Sequence, residues 1–169
     1  AEVRDLPSET QFASEPPQRD IGGLKLSDAL YNVYLGEAEA WAKDLEKGLF
    51  QLQYGFDDRA YDTAIARAHS LAGSSGTVGF TAMSGLARAM EHALQRLHAH
   101  GDHSKVQMQT LLRGSEQVSY LLHQFAAGFL KEADPSTLAA IEALEPPQSA
   151  RPVVQDDAQA EPDVAVEAL

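Results

Sequence analysis

Apolar residues recur at helical spacing through the middle of the chain. In an α-helix, residues three, four and seven apart share a face, so this spacing predicts amphipathic helices. Ser27 is a suitable N-cap for a first helix, Asp57 or Asp58 for a second helix over about 59–78, and Ser104 for a fourth. The third segment has the cleanest period, with apolar positions at Met83, Leu86, Ala87, Met90, Leu94 and Leu97.

Start and stop signals complete this pattern. Thr81 can cap the third helix and Gly101 can end it, while the apolar face of the fourth helix extends to Phe129. Asp134 followed by proline predicts a short fifth helix to about Leu144. No stretch alternates convincingly as a strand. The sequence therefore predicts an all-α fold, an antiparallel four-helix bundle with a short fifth helix at its C-terminal end.

Both ends of the chain have a different composition. Residues 1–22 and 146–169 are rich in proline, acids and small polar residues, and the string Glu-Pro-Pro-Gln occurs in each terminal region. Such segments bury too little apolar area to offset the entropy of ordering, so we expect acidic, disordered linkers. Residues 23–145 are then the folded domain, and linkers on both sides suggest a module of a longer protein.

Composition narrows the function classes. The formal net charge is −12, and residues 145–169 alone carry six acids and one base. This charge argues against nucleic-acid binding, which needs a basic surface. The chain has no cysteine, which is easiest to reconcile with a reducing cytoplasm. No apolar run approaches the length of a membrane span, so we expect no membrane insertion.

One histidine stands on an unusual helical stripe. His69 shares a face of the second helix with Ala72, Gly73 and Gly76. Each glycine costs roughly 1 kcal/mol relative to alanine in a helix interior, so two of them beside a histidine need a reason. One interpretation is clearance that lets a bulky partner reach the imidazole. The other is close packing of a neighbouring helix.

The run Ala68–Leu71, followed by Gly73, Gly76 and Gly79-Phe80, resembles the histidine phosphotransfer (HPt) domain, in particular the N-terminal domain of CheA-type chemotaxis kinases. The similarity continues through Leu86, Met90 and Glu91 of the third helix. It implies that His69 accepts a phosphoryl group on Nε2 and passes it to a receiver-domain aspartate. Ile65, Ala72, Gly73, Gly76 and Arg88 would form the surface that partners reach.

The resemblance also implies a role for Glu91. In the CheA family a glutamate at this place accepts a hydrogen bond from the histidine Nδ1, and so orients the ring. Spacing alone favours a surface glutamate on a charged helix. Two positions depart from the family pattern, since Ala72 stands where a lysine is usual and Arg88 where a second histidine is usual. Arg88 is either a solvated side chain or a substitute source of positive charge for the phosphoryl group.

The expected partners are a CheA-like kinase catalytic domain and the receiver domains of response regulators. The chain has no glycine-rich phosphate loop and no ATP lid, so we expect it to bind no cofactor itself, with Mg²⁺ and ATP supplied by partner domains. We expect a monomeric module of a cytoplasmic chemosensory kinase. Whether the module is part of an enzyme is left open by the sequence.

Two rival hypotheses remain open. The missing lysine at Ala72 motivates an HPt-like interaction module that binds partners without phosphotransfer. The histidines near the end of the third helix motivate a metal-responsive domain, although their spacing is poor for a metal site. These histidines are His92, His98, His100 and His103.

Overall fold

The computed structural model describes residues 14–146, and the predicted tails of residues 1–13 and 147–169 lie outside this range. A β-hairpin precedes five helices. Its strands are β1 (Gln18–Ile21) and β2 (Leu24–Ser27), which pair antiparallel with Ile21 opposite Leu24. The helices are α1 (Asp28–Leu52), α2 (Asp58–Val78), α3 (Thr81–His100), α4 (Lys105–Ala126) and α5 (Pro135–Glu142).

The helix starts follow the cap residues that the sequence offers. The side chains of Ser27, Asp57 and Asp134 accept hydrogen bonds from the backbone N–H groups three residues on, at the starts of α1, α2 and α5. At α4, Ser104 and Gln107 form a reciprocal capping box. These groups satisfy N–H donors that would otherwise lack partners at each helix start.

The four long helices form the bundle. α1 packs against α2 and α4, α2 packs against α3, and α5 lies across α3 and α4. The core contains an aromatic cluster in which Phe125 stacks on Phe80, with ring centroids 4.9 Å apart, and on Tyr31 at 5.6 Å. The antiparallel four-helix prediction is therefore confirmed. Across residues 14–146, no helix combines the length and apolar character needed to cross a membrane.

The hairpin was not predicted, and the assignment of residues 18–22 to a linker is wrong. Ile21 is only 2% exposed and belongs to the core. Gly22 and Gly23 have φ values of +58° and +94°, which lets a two-residue turn join the strands. Strands of four residues are too short to show a convincing alternation, and this is why the pattern missed them.

Two helix ends also differ from the predictions. Thr81 is the first residue of α3 and not its cap, since Phe80 precedes the helix without a capping hydrogen bond from its side chain. α4 ends at Ala126, so Phe129 lies beyond it and is 55% exposed. Gly128, with φ of +92°, turns the chain away from the helix axis before Phe129 can join the apolar face.

Candidate phosphotransfer site

His69 lies near the middle of α2, on the side that faces α3. The preceding Ala68 is fully buried, and Leu71 and Ala72 are buried after it, so the helix is anchored on both sides of the histidine. The His69 side chain is nevertheless 71% exposed. A rigid helix thus presents an accessible imidazole at a fixed position.

Glu91 of α3 holds this ring. Its Oε1 lies 2.8 Å from His69 Nδ1, and its side chain is only 9% exposed. A carboxylate can only accept a hydrogen bond, so the Nδ1 nitrogen carries the proton. In the neutral ring, Nε2 then has the free lone pair, on the exposed side chain.

The second oxygen of the same carboxylate has no partner. Glu91 Oε2 is buried and has no hydrogen bond within residues 14–146. A buried acceptor without a partner costs free energy, on the order of 1–3 kcal/mol. A buried carboxylate oxygen without a partner needs an explanation, and the hydrogen bond that the other oxygen of Glu91 makes to His69 provides one.

The two glycines of the stripe have different surroundings. At Gly73, an added methyl group would meet no neighbouring atom within 4 Å, so this position leaves open space beside the histidine. At Gly76, such a group would lie 3.2 Å from Ser84 Oγ on α3. Gly73 therefore leaves clearance beside His69, whereas Gly76 allows α3 to pack closely against α2.

Ser84 was missed by the sequence reasoning. Its hydroxyl donates a 2.8 Å hydrogen bond to the backbone carbonyl of Ala72, one turn of α2 from His69. It lies seven residues before Glu91, on the same face of α3, and this spacing is the signal that could have found it. Together, the Ser84 and Glu91 contacts fix α3 against α2 on the C-terminal side of His69 and at the histidine itself.

The structure places the other predicted surface residues as follows. Gly76 and Arg88 are exposed and Ile65 is half-buried. The Ala72 side chain is 1% exposed, so its assignment to the accessible surface is wrong. Ala72 faces into the bundle because it lies one turn after the buried Ala68, on the same face of α2.

The turn after the site is built from Gly79 and Phe80. Gly79 ends α2 with φ of +87°, a conformation that favours glycine, and a Cβ there would lie 2.9 Å from Leu24 of the hairpin. Phe80 is fully buried against Phe125. These residues reverse the chain so that α3 returns along α2.

A buried hydrogen bond joins α2, the helix that carries His69, to α1. Tyr34 and Ser75 place their hydroxyl oxygens 2.7 Å apart. Burial raises the pKa of Tyr34 to about 12. Helical spacing does not indicate this contact, because Tyr34 and Ser75 are 41 residues apart in the sequence.

Two of the remaining histidines, His98 and His103, make hydrogen bonds that join parts of the bundle, and the others are exposed. His103 Nε2 lies 2.7 Å from the carbonyl of Leu52, so it donates there, and the neutral ring accepts from the Tyr61 hydroxyl through Nδ1. His98 Nε2 lies 2.8 Å from Asp58 Oδ1 and its ring stacks on Tyr61. Within residues 14–146 there is no group of three or more side chains suited to hold a metal ion.

Comparison with known proteins is consistent with this geometry. The family model described as Hpt domain matches residues 29–128, well over half of the chain and the whole of α2 and α3. No curated protein matches the sequence significantly. The matched region contains the exposed histidine, its buried carboxylate and the four-helix bundle that holds them. The chain therefore belongs to the Hpt-domain family, the histidine phosphotransfer modules of phosphorelay signalling.

Proposed function

We propose that His69 is the phosphoryl acceptor of this module, and that it receives the group from a CheA-like kinase catalytic domain and passes it to receiver-domain aspartates. The observation that carries this proposal is the 2.8 Å contact between His69 Nδ1 and the buried Glu91 carboxylate. It leaves Nε2 as the nitrogen with a free lone pair on a highly exposed side chain.

The chemistry follows from this arrangement. The Nε2 lone pair attacks the γ-phosphorus of ATP, the bond between that phosphorus and the bridging oxygen breaks, and ADP leaves with the electron pair. The imidazole ring becomes positively charged, and Glu91 stabilises this charge through the Nδ1 proton. In the second step a receiver carboxylate oxygen attacks phosphorus, and the electron pair of the P–N bond returns to Nε2.

The module supplies position and charge, and its partners supply the rest. Phosphoryl transfer demands in-line geometry and charge compensation more than covalent help from the protein. ATP and Mg²⁺ would come with the kinase domain, and the receiver would bring its own Mg²⁺ beside the acceptor aspartate. The open space at Gly73 supports this arrangement, because either partner must bring a phosphorus atom to Nε2.

The finer assignment follows the resemblance to CheA-type phosphotransfer domains. Its support is the run Ala68–Leu71 with the glycines that follow and the Gly79-Phe80 turn. On this basis we propose a monomeric module of a larger chemosensory kinase. The absence of cysteine suits a cytoplasmic setting.

The test is phosphorylation of the full chain by a CheA-type catalytic domain with ATP. Wild type should gain an acid-labile phosphate, and His69→Gln should not. His92→Gln is the matched control, because His92 is an exposed histidine on α3, immediately after Glu91 in the sequence. Equal labelling of wild type and His69→Gln would refute the proposal.

A second candidate function is supported by Ala72. The resemblance leads one to expect a lysine here, and the structure has a buried methyl group instead. A module without this cation could bind partners and transfer nothing. Receiver binding in a titration, together with blank labelling by every phosphodonor tried, would favour this silent interaction module.

A further inference from the structure

Arg88 lies on the same side of α3 as the groups that contact the His69 helix. Ser84, Glu91 and His98 follow one another at intervals of seven residues, and each contacts α2. Arg88 is four residues after Ser84 and three before Glu91, so it lies on the same face of α3. It is exposed, and its backbone lies roughly 4.5 Å along the helix axis from Glu91.

The guanidinium of Arg88 has no partner among the described residues. Within residues 14–146, Arg88 has no hydrogen bond and no ion pair with another side chain. The other arginines of α2 and α3 differ. Arg67 is bound to Asp44 at 3.0 Å, Arg96 donates to the carbonyl of Leu144, and Arg59 is ten residues, or roughly 15 Å, from His69 along α2.

A phosphoryl group on Nε2 of His69 would need a positive charge nearby, such as that of Arg88. It carries up to two negative charges and would lie on the ring whose other nitrogen is already bound to the Glu91 carboxylate. The chain itself has a net charge of −12. The lysine position on α2 is occupied by the buried Ala72, so α2 itself supplies no cation there.

There is also room for the contact. On α3, Ser84 faces Gly76 of α2, where an added Cβ would lie 3.2 Å from Ser84 Oγ, and Glu91 contacts His69; Arg88, four residues after Ser84, is therefore roughly level with Ala72, next to Gly73. A Cβ at Gly73 would meet no neighbouring atom within 4 Å. The surface at Gly73 is therefore open, and the exposed Arg88 side chain of α3 can reach towards it.

We propose that Arg88 binds the phosphoryl group carried by His69, with its planar guanidinium donating to the phosphoryl oxygens. This inference rests on the proposed function of His69. Arg88 would stabilise the phosphorylated module and the charge that develops during transfer. It acts as a phosphate-binding residue supplied by the neighbouring helix.

The experiment uses phosphoramidate as a small phosphodonor, so that no kinase surface is involved. Its P–N bond breaks as the Nε2–P bond forms, and ammonia leaves after taking a proton. Wild type, Arg88→Ala, Arg88→Lys and the control Arg59→Ala are labelled, and ³¹P NMR follows the phosphoryl resonance against pH. Arg59→Ala removes the same charge from an exposed position on α2.

The expected result is specific to Arg88. Arg88→Ala should label about two- to fivefold more slowly, and its phosphoryl pKa should rise by a few tenths of a unit, while Arg88→Lys should be intermediate and Arg59→Ala should match wild type. In wild type, the Arg88 Nε–H resonance should shift on phosphorylation, a readout that needs no variant.

The experiment distinguishes failure of the Arg88 inference from failure of the proposed function of His69. If all four proteins label and Arg88→Ala matches Arg59→Ala in rate and phosphoryl pKa, the Arg88 inference is wrong and the proposed function stands. An unmoved Arg88 Nε–H resonance in labelled wild type would overturn it in the same way. If His69 of wild type does not label, the proposed function fails and the inference fails with it.

Discussion

Replacing Glu91 with glutamine or alanine separates two effects of this carboxylate on His69. The glutamine amide oxygen can still accept from Nδ1–H, so Glu91→Gln keeps the ring orientation and removes the negative charge. Glu91→Ala removes both.

The expected magnitudes follow from the strength of this hydrogen bond. A hydrogen bond to a charged group contributes about 1.5–3 kcal/mol, and a neutral one about 0.5–1.5 kcal/mol. If this contribution is realised as the ring becomes cationic, phosphorylation of Glu91→Ala should slow by roughly 10- to 100-fold. Glu91→Gln should slow by roughly 10-fold or less.

Stability should change differently from the rate. Glu91 Oε2 is buried without a partner within the described residues, and removing it relieves a cost of about 1–3 kcal/mol. Glu91→Ala also loses the hydrogen bond to His69, so the two effects offset each other, and we expect its stability to stay within about 1 kcal/mol of wild type although it is phosphorylated more slowly.

The assay compares initial rates of acid-labile phosphate incorporation from phosphoramidate with urea unfolding of the same preparations. His92→Gln is the control for a neighbouring change on α3. Rates for both Glu91 variants that equal the wild-type rate would refute the reasoning. A rate loss that simply parallels a loss of folded protein would refute it as well.

Three further predictions concern the scaffold. Gly73→Ala should raise the free energy of unfolding by about 0.5–1 kcal/mol, and Gly76→Ala should gain less because its methyl group meets an α3 side chain at 3.2 Å; urea denaturation of both tests this. Gly114→Ala should destabilise by roughly 1 kcal/mol net, because its methyl group would lie 2.8 Å from Ile141 of α5 and crowd the buried core, while the higher helix propensity of alanine offsets part of this cost; unchanged thermal unfolding would contradict this. The contribution of Tyr34 to stability should be constant below about pH 10 and be lost as the pH rises towards about 12, because its raised pKa lets the unfolded tyrosine ionise first; burial also raises the pKa of Tyr61, so Tyr34→Phe should reduce but not abolish the fall in unfolding free energy measured from pH 8 to 12.

Much of the helical fold could be predicted from the sequence because its signals are local. Cap residues such as Ser27 and Ser104 and the αL glycine Gly101 act within a few residues, and the structure has them at the predicted helix ends. The β-hairpin could not be predicted in this way. Burial of Ile21 depends on contacts with distant parts of the bundle, which no local pattern records.

The site was predictable where residue type and spacing coincide. His69 stood out by the small residues beside it, and the resemblance led to Glu91. The distinct surroundings of Gly73 and Gly76 were not predictable, because they depend on how closely α3 approaches each turn of α2. The burial of Ala72 was missed because the whole His69 face of α2 was predicted to be accessible. Ala72 lies at the edge of that face, where the helix packs into the bundle.

The most direct test of the central claim is the site of phosphorylation on ¹⁵N-histidine-labelled protein. The chain has six histidines, so the label can be assigned among them. After phosphoramidate treatment, we predict phosphorus coupling to Nε2 of His69, with the proton retained on its Nδ1. Coupling to Nδ1 of His69, or labelling of another histidine while His69 stays unmodified, would contradict the account.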